Sequence, residues 1–207
     1  MYLYKLSYFA VLWVVLLPIL FFLVFRFSKR KYFLLFLYSI FSAFTPWISH
    51  FLAIRGQSSF LIVNLYTLSI AFILFFIFKR QNSNQIHTIL FYLPLFVFMS
   101  LFFYEFNSRQ LMQHSLIASS ILYIFWSLVS IIQVIQNHSK KNENLRVMLL
   151  FNSAILIYFS GSLLLFFIFD QLNSTNYIIW TAHNFLEIIA NLIISVAFWK
   201  LPSKSIS

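Results

Sequence analysis

The run Trp180-Thr181-Ala182-His183-Asn184-Phe185-Leu186-Glu187-Ile188-Ile189-Ala190-Asn191 sits inside the apolar stretch Tyr177–Trp199. About 20 such residues cross the hydrocarbon core of a bilayer as a helix. The stretch therefore reads as a membrane span with a carboxyl group near its middle. A charge at that depth costs roughly 2.5–3.5 kcal/mol on insertion scales, and it is retained where it faces the interior of a bundle. At about 100° per residue, His183 lies at about −40° from Glu187, Trp180 at about +20°, Asn191 at about +40° and Asn184 at about +60°. These polar groups share one arc, whereas Phe185, Leu192 and Val196 occupy the far side. The inward arc makes His183, Asn184, Glu187 and Asn191 the candidate ligand-binding residues.

Six further stretches have the same length and character. The expected spans are Tyr8–Phe25, Tyr32–Ile54, Phe60–Phe78, Thr88–Phe106, Ser115–Ile135, Val147–Phe169 and Tyr177–Trp199. Barrel strands alternate polar and apolar residues over about ten positions, and these runs are apolar all round. The expected fold is thus an all-α integral membrane protein, a single seven-transmembrane helix bundle over residues 1–207.

Composition agrees. Hydrophobic residues make up 62% of the chain and charged residues 9%, against about 25% charged in a soluble domain. The absence of cysteine excludes disulfides, thiolate nucleophiles and Cys-ligated metals. The net charge of +10 does not signal nucleic acid, because the basic residues cluster in short loops between spans. Eleven of them (Arg26, Lys29, Arg30, Lys31, Lys79, Arg80, Lys140, Lys141, Arg146, Lys200 and Lys204) fall on one side, and three (Lys5, Arg55 and Arg109) on the other. The positive-inside rule then places the N-terminus outside and the C-terminus in the cytoplasm. Attraction to anionic membrane lipid adds to this. The first span is read as retained, since its basic cluster follows the apolar run and no small-residue cleavage site appears. An inner-membrane, multi-pass, bacterial protein is expected.

Short loops make neighbouring spans antiparallel, and the eight residues after Trp199 are expected to hold no output domain. Pro18, Pro46 and Pro94 fall in spans one, two and four, where a packing kink is the expected effect. Asn64, Thr67, Ser69, Ser119, Ser120, Ser127, Asn152, Ser153, Ser160 and Ser162 either tie helices together, at about 0.6 kcal/mol each, or complete a pocket. His87, His114 and His138 read as solvated. Tyr8, Tyr32, Trp47, Tyr177 and Trp199 read as interface belts.

His183 and Glu187, at i and i+4, are close enough to meet. Three readings follow. Glu187, protonated or hydrogen-bonded, ties helices together; or the pair, with Asn184 and Asn191, binds a polar ligand or switches on protonation; or the two are metal ligands, with His50 on span two the only other candidate near an outer membrane surface. A catalytic zinc wants three protein ligands, so no metal and no cofactor are expected. No phosphate-binding, zinc-protease or nucleophile-elbow motif is present, and no catalytic residue is assigned.

The segments Asn152-Ser153-Ala154-Ile155-Leu156-Ile157-Tyr158-Phe159-Ser160-Gly161-Ser162 and Trp180–Trp199 resemble the close of the seven-span membrane module of bacterial sensor histidine kinases. The resemblance covers about a quarter of the chain, and the kinase part has no counterpart here. It implies a detached sensor half or a protein that hands its state to a separate cytoplasmic partner such as a histidine kinase. With the inward polar face and no catalytic constellation, the expected function is a non-enzymatic sensory or regulatory module that detects a small ligand or a protonation change. Three other classes fit the same sequence: a small proton-coupled transporter, a lipid-active membrane enzyme, and a structural subunit of a membrane complex.

Overall fold

The computed structural model describes residues 2–26, 32–81, 85–106, 112–136, 143–169 and 177–200. The described residues form eight helices and no strand: α1 (Tyr2–Val14), α2 (Leu17–Arg26), α3 (Phe33–Ile54), α4 (Phe60–Gln81), α5 (Gln85–Glu105), α6 (Gln113–Gln136), α7 (Glu143–Phe169) and α8 (Tyr177–Trp199). Because α1 and α2 are separated only by Val15 and Leu16, the eight helices make seven rods. Six are long and apolar enough to cross a membrane: Tyr2–Val24, Phe33–Ile54, Phe60–Arg80, Gln113–Gln136, Leu145–Leu165 and Tyr177–Trp199. The described apolar stretch of α5, Phe91–Glu105, is shorter. The chain is a helical bundle of the multi-pass membrane type. The basic residues Lys29, Arg30, Lys31, Arg109, Lys140, Lys141 and Lys204, on which the orientation is read, lie outside the described residues, as does His138.

The first helix starts at Tyr2 rather than Tyr8. A contact with α8 explains the difference. The Ser7 hydroxyl donates to the Tyr4 carbonyl at 2.9 Å and accepts from Asn184 Nδ2 at 3.0 Å. That tie holds the first turns against the bundle although they carry Lys5.

Helices α1/α2, α3, α4, α6, α7 and α8 close into a ring, each packing on the next, with α8 returning to α1 and α2. Helix α5 lies outside the ring, against α4 and α6. The two ends of the ring differ. Toward Arg26, Gln81, Gln136 and Trp199 the centre is filled by aromatic side chains. Phe22 stacks on Phe36 with centroids 4.4 Å apart and meets Phe198 edge-on at 5.3 Å. Phe75, Phe78 and Phe91 surround the fully buried Trp126. Each such pair is worth about 0.5–1.5 kcal/mol beyond area burial.

The surface is apolar, unlike that of a water-soluble protein, and the largely apolar interior also holds polar residues. Val24, Ile54, Phe96 and Ile178 are at least 70% exposed, while Ser39, Asn64, Ser127, Asn152 and Asn191 are buried. In lipid no hydrophobic force drives helices together, so dispersion and polar contacts hold them. Among the described residues, several hydroxyls turn to their own helix. The hydroxyls of Ser39, Thr45, Thr67, Ser69, Ser120, Thr181 and Ser195 donate to the carbonyl four residues earlier in their own helix. A hydroxyl in hydrocarbon takes the nearest acceptor, and the preceding turn always supplies one.

Two cross-helix bonds have backbone causes. Pro18 offers no N–H, and the rod breaks just before it. There the Leu16 amide turns to the Trp13 carbonyl at 3.1 Å. This leaves the Leu12 carbonyl without its usual donor, and the Trp47 indole of α3 donates to it at 2.8 Å. At the start of α6, Glu105 from the end of α5 serves as the cap. Its Oε2 accepts from the Ser115 amide at 2.8 Å and the Ser115 hydroxyl at 2.6 Å, and its Oε1 pairs with His114. His114 is 82% exposed, in line with a solvated position, yet it is not without a partner.

Candidate functional site

The other end of the ring is hollow. A cavity of about 370 Å³ is lined from six rods. Helix α1 contributes Tyr4, Tyr8 and Val11. Ser42, Thr45, Pro46 and Ser49 come from α3, and Phe60, Val63, Tyr66, Thr67 and Ile70 from α4. Helix α6 contributes Leu116, Ser119, Ser120 and Tyr123, and α7 contributes Tyr158, Phe159 and Ser162. Trp180, His183, Asn184 and Glu187 come from α8. Its volume lies at the lower end of small-molecule pockets, about 300–1,000 Å³.

Three of the four candidate residues of α8 face this space. The ring of His183 crosses to α7, where Nε2 meets the Tyr158 hydroxyl at 3.5 Å and Nδ1 meets the Ser162 hydroxyl at 3.4 Å. Asn184 is buried on its tie to Ser7. Glu187 presents its carboxyl to the cavity within electrostatic reach of Tyr8, Tyr38, Tyr66 and Tyr158. Among the described residues no hydrogen bond or ion pair reaches that carboxyl, and no described Lys or Arg side chain lines the space. Asn191 sits one turn further on, buried but off the cavity wall. Its amide donates to the Glu187 carbonyl at 2.9 Å, and its own carbonyl accepts from the Ser195 hydroxyl. Its described contacts are thus those of a helix residue.

The helical arc seen in the sequence accounts for α8, but the opposite walls come from other signals. Thr67, Ser119, Ser120 and Ser162 line the cavity, whereas Asn64, Ser69, Ser127, Asn152, Ser153 and Ser160 do not. Asn64 instead accepts from the Met112 amide at 3.4 Å, holding the α6 start against α4. The tyrosines are the residues that the sequence hides. Tyr8 reads as an interface residue, yet it lines the cavity and bonds His50 Nδ1 at 3.1 Å. Tyr32, also expected in the interface belt, is buried in the core. Tyr158 falls mid-span, deeper than interface aromatics sit, and that depth is the one sequence signal for its role.

Gly161 decides how closely α7 approaches α8. A Cβ there would lie 2.4 Å from Cδ1 of Leu186, the neighbour of Glu187. This contact sets the wall that carries His183 and Glu187 against Tyr158 and Ser162.

What can these groups do chemically? Ser162 and His183 stand near the separation of a nucleophile and its base. A catalytic triad orients the base through a carboxylate on its second nitrogen, but here Tyr158 meets that nitrogen. Among the described residues no three His, Asp or Glu side chains cluster as metal ligands. The arrangement is suited to binding: an apolar, aromatic chamber with one carboxyl and a few hydroxyls.

Comparison with known protein families, curated proteins and solved structures finds no match.

Proposed function

We propose that this protein is a seven-span membrane sensor that binds a small molecule in the hollow end of its bundle and reports occupancy to a cytoplasmic partner. The observation carrying this reading is the cavity itself, ringed by six rods and containing the Glu187 carboxyl. In the proposed topology α5 is the remaining crossing, the N-terminus is outside, and the cavity lies in the outer half. The distribution of basic residues supports that orientation. The aromatic plug below the cavity separates it from the cytoplasmic end. Occupancy would then be transmitted by shifts of packed helices, α8 above all, because α8 touches the ligand chamber, α1, α2 and α7. The resemblance of residues 152–162 and 180–199 to sensor-kinase membrane modules supports a signalling partner of the histidine-kinase kind.

The test is gentle extraction from the native membrane. Small molecules released on denaturation and proteins that come with the complex are then identified by mass spectrometry. Wild-type protein is expected to carry a small molecule and a signalling protein. Ser119→Phe, which fills the chamber, is expected to lose the small molecule and keep the fold. Identical small-molecule content in both would contradict the reading. Proton flux in vesicles that disappears in Glu187→Gln would replace it with a transporter.

A further inference from the structure

Resting on the ligand-binding reading above, we infer that the chamber takes a small organic cation, a protonated amine or quaternary ammonium, between the Glu187 carboxylate and the tyrosine rings. A carboxyl in a low-dielectric space either takes up a proton or is held charged by a partner of opposite charge. Among the described residues no Lys or Arg lines the cavity. Lys5, Arg55, Lys79, Arg80, Arg146 and Lys200 all lie off the cavity wall, and the described bonds of the His183 ring run to Tyr158 and Ser162. A cationic ligand would supply that partner.

The remaining lining selects the kind of cation. Tyr4, Tyr8, Tyr66, Tyr123, Tyr158 and Trp180 border the space. Aromatic faces attract an organic cation within about 6 Å of the ring centre, and cages of such rings recognise quaternary ammonium groups. A bare metal ion wants six or more oxygens in a tight shell. The chamber offers one carboxyl and hydroxyls that, at Thr45, Thr67 and Ser120, are spent on their own helix backbone. An anion would meet the Glu187 charge. A neutral hydrocarbon would leave the Glu187 carboxyl without a partner.

The experiment uses the full chain in lipid nanodiscs and two matched pairs of probes. Choline is compared with 3,3-dimethylbutan-1-ol, and 2-phenylethylammonium with 2-phenylethanol; each pair differs chiefly in charge. Calorimetric titration is expected to show at least one cation binding about 30-fold or more tightly than its neutral partner. That preference is expected to vanish in the isosteric Glu187→Gln, to survive in Tyr66→Phe and to weaken in Tyr66→Leu. Neutral partners that bind as tightly as the cations, or a preference that persists in Glu187→Gln, would overturn the cation class and leave the sensor reading standing. The wild-type comparison alone decides this if a variant fails to fold. Failure of all four probes would also overturn the cation class, and together with a native protein free of any small molecule it would end the sensor reading as well.

Discussion

Glu187 concentrates both the cost and the use of this bundle. Its carboxyl has no described partner within the fold, so replacing it with leucine removes a desolvation penalty. Glu187→Leu is predicted to raise stability by about 1–3 kcal/mol, read by thermal unfolding in detergent, while abolishing ligand binding. A destabilised Glu187→Leu would mean that the carboxyl holds helices together. Trp47 shows the opposite balance. Its indole satisfies the Leu12 carbonyl stranded by the break in the first rod, so Trp47→Phe is predicted to cost about 1–2 kcal/mol, measured the same way. At this scale the sequence is half legible. The 3.6-residue period gathers His183, Asn184 and Glu187 on one face, and all three reach the cavity. The same period also gathers Asn191, which spends its amide on the backbone, because hydrogen-bond choice is local and periodicity does not encode it.

At the scale of elements, the helices are written plainly in the apolar runs, and their ends less so. The cap of α6 is supplied by Glu105 from another helix, a pairing that no local pattern announces. Glu105→Ala is predicted to cost about 1 kcal/mol and to raise amide hydrogen exchange in the first turn of α6 (residues 113–116) above that of the first turn of α8; equal exchange would deny the cap. Gly161 reads in sequence as one small residue among large ones, and only the packed pair reveals its contact with Leu186. Gly161→Val is predicted to lose about 1–3 kcal/mol by overpacking. It is also predicted to weaken ligand binding, because α7 and α8 share the wall bearing His183 and Glu187. Normal affinity in a folded Gly161→Val protein would show that this wall does not shape the site.

Across the whole molecule, composition points to the class: an apolar exterior and helices long enough to cross a bilayer. It does not show that aromatic side chains pack one end of the ring while the other is hollow, or that α5 stands outside it. Those features come from which side chains meet across the ring, Phe22 with Phe36 and Phe198 at one end, Tyr8, Tyr66 and Tyr158 around an open space at the other. The absence of cysteine makes the central claim directly measurable, since a single introduced cysteine is the only thiol. Spin labels placed in turn at positions 185, 187, 189, 192 and 196 of α8 report collision with lipid-dissolved oxygen in native-like membranes. The account predicts high oxygen exposure at 185, 189, 192 and 196, whose side chains are each more than 40% exposed, and low exposure at 187. Oxygen exposure at 187 equal to that at 192 and 196 would place the carboxyl among acyl chains and contradict the account.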